Sequence, residues 1–310
     1  MSTLNRSVMD FVKRELESGS PDDGSVLQEP FLIISGAMKA GTTTLFDVLA
    51  QHPEISPSHD KEPGFFSFEE VYSRGMDWYR TLWDSPGEGR KVYMEASTHY
   101  TKEPEIPSGA YLAERHLADV RFIYVVRNPI KRIESHVNFV RMQGMELRGC
   151  EFSNPHVVNV TRYMSQLDPY LERFGKERVM VVDFDDLIRK PERSLRKICE
   201  FAGIDPSFSF GGLAHSGKTT RVSRYQQLQR WASYHKIPRL VRGLVRLGCF
   251  PLALSKLEMQ RMNEETREEI LAVLSEDIVR FHDTFGWYPL DDAVVQSLRK
   301  AEPVPAEPVT

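Results

Sequence analysis

Lys39 stands inside a short turn bracketed by glycines, Gly36-Ala37-Met38-Lys39-Ala40-Gly41, and three threonines, Thr42, Thr43 and Thr44, follow at once. The apolar run Phe31 to Ser35 precedes this turn and a helical pattern follows it. A strand, a glycine-bearing turn and a helix start in that order make an anion site, because free backbone N–H groups and the positive end of the helix dipole converge there. Gly36 and Gly41 permit close backbone approach, and the threonines can cap the helix while donating hydroxyl hydrogen bonds. The interval from Gly36 to Gly41 is that of a nucleotide-triphosphatase P-loop. Thr42, however, occupies that motif's lysine position, and the lysine has moved into the loop as Lys39. That shift argues against an ordinary ATPase or GTPase.

A second anion site is legible at the end of another apolar run. Phe122 to Val126 leads into Arg127-Asn128-Pro129, followed by Lys131, Arg132 and Ser135. Arg127 marks the exit of a buried strand, Pro129 suits the first turn of a helix, and Ser135 lies two turns into it. An arginine fork with a serine hydroxyl suits a phosphate monoester. The plainer alternative is a charged helix start with Arg132 and Glu134 in solvent.

These residues need a frame to hold them. Phe31 to Ser35, Val92 to Glu95, Phe122 to Val126 and Val179 to Val182 read as buried strands. Helical patterns lie at about Thr42–Gln51, Ala110–Leu117, Pro129–Met142, Val157–Phe174 and Glu192–Ala202, and Met259 to Phe285 reads as a scaffold helix. Strands apolar on both faces and separated by helices predict an α/β fold, with a central parallel sheet flanked by helices on both faces. Ligands in such sheets sit at the carboxyl ends of the strands. The expected organisation is an N-terminal helix and linker over 1–29, one catalytic domain over 30–290 and a tail over 291–310 that is disordered at its end.

Composition narrows the function classes. Forty basic and 44 acidic residues leave a net charge of −4, so there is no polyanion-binding signature and no nucleic-acid partner is expected. The three cysteines, Cys150, Cys199 and Cys249, show no metal-ligand or disulfide spacing. The first twenty residues lack the apolar core of a signal peptide and no run could span a bilayer, which together predict a cytoplasmic protein.

The run FLIISGAMKAGTTTLFDVLAQHP resembles the 5′-phosphosulfate-binding loop of sulfotransferases that use 3′-phosphoadenosine 5′-phosphosulfate (PAPS). FIYVVRNPIKRIESH is similar to their 3′-phosphate-binding strand and helix. Asp60-Lys61-Glu62-Pro63-Gly64-Phe65-Phe66 resembles the K-E-x-x-F-F segment of carbohydrate and many bacterial members. The resemblance spans about residues 30 to 290 and implies a three-layer P-loop-like fold. It also implies PAPS as donor and 3′-phosphoadenosine 5′-phosphate (PAP) as product, with no metal required. Lys39, Ala40, Gly41, Thr42, Thr43 and Thr44 are then the 5′-phosphosulfate residues, and Arg127 and Ser135 the 3′-phosphate residues. Lys218 and Arg221, in His215 to Arg221, resemble the basic segment that closes over the nucleotide.

Sulfuryl transfer is an in-line displacement dominated by positioning and charge stabilisation. Lys39 is expected on the leaving group, and an acceptor hydroxyl needs a general base. Glu62 holds that place in the resembling segment, and His99 after the second strand is its rival. Glycosaminoglycan-modifying members often read Glu-Lys-Thr-Pro after that strand, whereas here Ala96 replaces the lysine. The acceptor is expected to be a small molecule or a carbohydrate, carrier-bound forms included. Arg221 to Gly248 holds seven basic residues, no acidic ones, and several aromatics, which suits a nucleotide lid, an acidic-partner surface or a solvated helix. Two other readings stand beside this one. A P-loop kinase using ATP would need a magnesium carboxylate such as Glu95, and a non-catalytic nucleotide-binding protein would keep the cradle alone.

Overall fold

The computed structural model describes residues 10–15, 17, 26–84, 89–106, 109–142, 151–211 and 259–300. Five strands, β1 (Leu27–Gly36), β2 (Ile55–Pro57), β3 (Val92–Glu95), β4 (Leu117–Val126) and β5 (Val179–Asp183), form one sheet in the order β2-β3-β1-β4-β5. Every pairing is parallel, so each connection must cross over the sheet, which is why helices flank it. The helices are α1 (Thr42–Leu49), α2 (Glu69–Tyr72), α3 (Gly75–Arg80), α4 (Gly109–His116), α5 (Pro129–Met142) and α6 (Pro155–Asn159). They continue as α7 (Tyr163–Phe174), α8 (Phe184–Arg189), α9 (Pro191–Ala202), α10 (Glu264–Phe285) and α11 (Asp292–Lys300). This is the α/β architecture that the apolar runs predict.

Residues 31–34 of β1 and 122–126 of β4 are all buried, because both faces of a central parallel strand are covered by helices. Ile33 pairs with Phe122 and Ile34 with Ile123, so β1 and β4 end side by side. β3 flanks β1 on its other side. The chain leaves β1 toward one half of the sheet and later builds the other half from β4. The crevice at a strand-order reversal of this kind is where open α/β sheets bind ligands.

Some elements differ from the pattern reading, each for a tertiary reason. β2 is only three residues long, too short to stand out by periodicity. The single helix read over Val157–Phe174 is two, α6 and α7. The Val157 carbonyl accepts from the Thr161 hydroxyl (2.7 Å) and from Arg132 Nη2 (2.7 Å), so it is engaged by side chains at the break. Buried Asp277 of α10 then accepts from the backbone N–H groups of Met164 and Ser165 at the start of α7.

The helix read from Met259 begins at Glu264, capped by Asn263, whose side chain accepts from the Thr266 N–H. The residues before it lie along α5, where Gln260 and Asn138 exchange two hydrogen bonds of 2.9 Å. Helix α11, with Val295 buried, lies within the stretch read as a tail; residues 301–310 lie outside the described residues. Cys199 is buried and free, and Cys150 and Cys249 lie outside the described residues. Among the described residues no helix is long and apolar enough to cross a membrane.

Candidate active site

The turn after β1 is anchored from below. Ala37 donates its N–H to the Val125 carbonyl (2.8 Å) and Ala40 donates to Ala37 (3.0 Å). The Met38 carbonyl accepts from Arg132 Nη1 (3.1 Å) and the Lys39 carbonyl from Arg127 Nη1 (3.4 Å). With those carbonyls engaged, the loop is held in one shape before any ligand arrives. Lys39 has φ of 70°, and it is the one non-glycine with positive φ among the described residues. That conformation costs about 1–3 kcal/mol and persists only where the surroundings impose it.

The cap of α1 differs from the expectation. Gly41, not a threonine, is the N-cap, with φ of 92°, and no side chain caps the helix. A β-carbon at Gly41 would stand 2.6 Å from the Phe184 ring. Only glycine meets both demands, and no side chain among the described residues caps the first turn of α1. Thr42 is buried, Thr44 half-buried and Thr43 exposed.

Phe184 also carries the Arg127 guanidinium on its ring, 4.8 Å from the centroid. Arg127 Nε is buried with no hydrogen-bond partner among the described residues. A buried charged donor without an acceptor is rare and expensive unless a ligand completes it. Ser135 lies half-buried on α5, two turns on from Arg127. An uncapped helix start, a strained loop lysine and an orphaned arginine donor therefore fit a ligand with two separate anionic groups. Lys218 and Arg221, and the basic run to Gly248, lie outside the described residues.

The acid and histidine arrive from the other side of β1. The Lys61 carbonyl accepts from the Ala96 N–H (2.9 Å), and Gly64 donates its N–H to the Ser97 hydroxyl (3.0 Å). These bonds tie the Glu62 segment to the exit of β3. Phe65 and Phe66 are fully buried, with Phe65 stacked on Tyr79 at 4.6 Å. They are core anchors that set the position of the glutamate three and four residues before them. The Glu62 carboxylate accepts from Lys61 Nζ (2.6 Å), and its charge acts on Lys39, His99 and Lys102. Lys39, Glu62 and His99 are thus brought into one electrostatic neighbourhood.

Burial holds the pKa of Lys39 below its ordinary value, with Arg127 and Arg132 adding to the effect and Glu62 opposing it. Its ammonium rests 4.1 Å from the Phe139 ring centroid. His99 sits in the 3₁₀ turn Thr98–Thr101 against the Phe68 ring (4.8 Å), with Nδ1 buried and unpartnered. Burial first and Lys102 second pull its pKa down to about 4, so the ring is neutral at pH 7.

A family model described as "Sulfotransferase domain" matches residues 29–229, which include the β1 turn, the Glu62 segment and the β4 exit. The chain belongs to the PAPS-dependent sulfotransferase family. Among its relatives, mouse (Mus musculus) heparan sulfate glucosamine 3-O-sulfotransferase 3A1 is 28% identical over 195 residues, covering 59% of this chain and 48% of that protein. The Caenorhabditis briggsae bifunctional heparan sulfate N-deacetylase/N-sulfotransferase 1 is 25% identical over 207 residues, covering 58% of this chain and 23% of that protein. This chain therefore spans about half or less of the length of these curated relatives. In fold it is similar to the sulfotransferase from Alicyclobacillus acidocaldarius, with a TM-score of 0.60 and 21% identity, over 88% of this chain and all of that one.

Within this sulfotransferase three residues take roles that the sequence did not disclose. Arg132, whose plainer reading put it in solvent, is wholly buried. It donates to Met38 O, Val157 O (2.7 Å) and Thr161 Oγ1 (3.1 Å), and contacts His136 Nδ1 at 3.4 Å. Glu134 is also mostly buried, accepting from the Met262 N–H and from Arg261. Glu95 is fully buried and accepts from Tyr79 (2.8 Å), Tyr100 (2.7 Å) and Ser97 (2.6 Å). Burial, offset by those donors, leaves its pKa raised to about 7. Two of those donors, Ser97 and Tyr100, in turn accept from the Gly64 and Phe66 N–H groups, and with its oxygens engaged Glu95 is not free to be the carboxylate that a P-loop kinase reading needs. No local pattern marks any of the three. Arg132 differs from an exposed helix arginine only in what packs around it.

Proposed function

We propose that this chain transfers the sulfuryl group of PAPS to an acceptor hydroxyl by in-line displacement. The observation that carries the reading is the convergence of the β1 turn, the Glu62 segment and the Arg127 exit at adjacent strand ends. PAPS, when bound, supplies the sulfuryl group together with its own leaving group.

Ala40 to Thr44 provide amides and hydroxyls for the 5′ anionic end, and Lys39 supplies a desolvated cation where charge develops on the leaving group. Arg127, with its unsatisfied Nε, and Ser135 hold the 3′-phosphate. Glu62 takes the acceptor proton. Its carboxylate accepts from Lys61 Nζ at 2.6 Å. The relatives' names point to carbohydrate hydroxyls as one acceptor class, alongside small-molecule and carrier-bound alcohols. Ala96 in place of the lysine expected of glycosaminoglycan-modifying members sets this chain apart from them.

Calorimetric titration with PAP, against ATP and ADP with magnesium, tests the donor assignment. Micromolar or tighter PAP binding is expected. Arg127→Ala should weaken it about 10- to 100-fold, as loss of a charge-assisted phosphate contact does. Preference for ATP with magnesium would overturn the reading.

The base assignment is tested by comparing two variants in transfer to an alcohol. Glu62→Gln is expected to cut turnover by about 100-fold or more, the range for a lost general base, with PAP binding retained. His99→Ala should cost much less. The reverse ranking would move the base to His99. A protein that binds PAP yet sulfates no member of a broad acceptor panel would support the non-catalytic alternative.

A further inference from the structure

The segment that carries Glu62 meets the exit of β3 at three points. The Lys61 carbonyl accepts from the Ala96 N–H (2.9 Å), the Gly64 N–H donates to Ser97 Oγ (3.0 Å), and the Phe66 N–H donates to the Tyr100 hydroxyl at a longer 3.5 Å. Glu62 lies between the first two of these points. Two of the three are hydroxyls, and a hydroxyl can turn either way, since it carries one proton and two lone pairs. Holding the loop requires that their lone pairs, not their protons, face the backbone N–H groups.

Glu95, the last residue of β3, is fully buried beneath them. Ser97 Oγ donates to its Oε2 (2.6 Å), and the Tyr100 hydroxyl donates to its Oε1 (2.7 Å). An ionised carboxylate only accepts, so it takes the single proton of each hydroxyl. What Ser97 and Tyr100 then present to Gly64 and Phe66 is a lone pair. Tyr79 from α3 donates to Oε1 as well (2.8 Å), so both carboxylate oxygens are held and the group has one orientation. The Phe66 ring packs on Tyr79 (5.2 Å) and on Tyr100 (5.6 Å), and bonds in such apolar surroundings are stronger than in water.

We propose that Glu95 is a positioning residue for the transfer reaction, fixing the polarity of Ser97 and Tyr100 and through them the place of the Glu62 carboxylate. This rests on the reading of Glu62 as the base and deepens it. Being fully buried, Glu95 works through the loop and not on the reacting atoms.

The test compares variants of the full chain in transfer to an alcohol, at alkaline pH where Glu95 is ionised. Glu95→Gln keeps the shape but replaces one acceptor oxygen with an NH2 donor, so one hydroxyl must reverse or lose its bond. Its kcat is expected to fall about 10- to 100-fold, the scale for a catalytic group displaced by about 1 Å. PAP affinity and acceptor KM should change little, because the β1 turn and Arg127 hold the donor. Ser97→Ala leaves the carboxylate in place and cuts only the Gly64 arm, for a loss of about tenfold. Within one relay the losses do not add, so the double variant should be about as slow as Glu95→Gln alone. Should Glu95→Gln fail to fold, Ser97→Ala and Tyr100→Phe test the two arms, each lowering kcat with PAP binding intact.

A folded Glu95→Gln variant with normal kcat overturns the proposal. So do parallel losses of kcat and PAP affinity, which mark a merely structural role, and additive losses in the double variant. Glu62→Gln separates the proposal from the reading beneath it. If Glu62→Gln turns over normally, the base assignment falls and the proposal with it. If Glu62→Gln is inactive while the Glu95 and Ser97 variants are unimpaired, the proposal alone falls.

Discussion

Lys39→Ala is expected to lower kcat by about 100- to 1000-fold, roughly 2.7–4 kcal/mol of transition-state stabilisation, while the protein remains folded. The size follows from where the cation sits. Burial and the charges of Arg127 and Arg132 all disfavour the protonated form, so the lysine is strongly desolvated, and a charge in such surroundings acts far more strongly than in water. Folding should be nearly unaffected, because the ammonium rests on the Phe139 ring, a contact worth about 0.5–1 kcal/mol. Alanine carries the same β-carbon as lysine, so the positive φ adds no new strain. Lys39→Arg should not rescue turnover, since a planar fork does not replace a compact ammonium on a single oxygen. Rapid-quench single turnovers with melting curves check this. A folded variant with near-normal turnover would remove Lys39 from the leaving group.

Arg132→Met is expected to damage both stability and donor binding. It deletes charge-assisted hydrogen bonds to Met38, Val157 and Thr161 and leaves the Met38 carbonyl without its side-chain donor, while Val157 keeps the Thr161 hydroxyl. At about 1.5–3 kcal/mol for a charged hydrogen bond, plus the penalty for the stranded Met38 carbonyl, a loss near 4 kcal/mol follows. For a domain of this size that corresponds to a fall in Tm of roughly 8–16 °C. PAP affinity should fall as well, because the Met38 carbonyl is one of the fixed points of the β1 turn. Arg132→Lys keeps the charge but not the fork, and should recover only part of either loss. Scanning calorimetry and PAP titration of the same preparation read both effects. Intact PAP affinity in a destabilised variant would show that the turn is held without this arginine.

The contrast between these two residues shows what local pattern can reveal. Lys39 announces itself, since glycine spacing, an apolar run and a threonine cluster all point to one turn. Arg132 and Glu134 sit in a helix whose sequence reads as an amphipathic segment with charged solvent positions, yet both are buried. Arg132 is buried because α6 and the β1 turn close over it, and those contacts span 25 to 94 residues of sequence. Helix α5 itself was legible to the residue, Pro129–Met142, because Pro129 marks its start and its apolar spacing is regular. The break between α6 and α7 was not, since the same spacing runs through it while the contacts at the break come from Arg132 and from Asp277 far along the chain.

By itself the sequence determined the order of strands and helices, the parallel sheet, and the anion-binding turn with its displaced lysine. Those are consequences of apolar runs, glycine spacing and residue type, all of which act over short stretches of chain. The tertiary structure decided which distant side chains share one environment. It turned Glu95 from a possible metal ligand into a buried acceptor for three hydroxyls. It made Gly41 the cap of α1 because Phe184, from the far side of the sheet, fills the space a β-carbon would need. Burial and hydrogen-bond satisfaction are properties of the packed whole, and a lysine or arginine acquires its role only when the rest of the chain has closed around it.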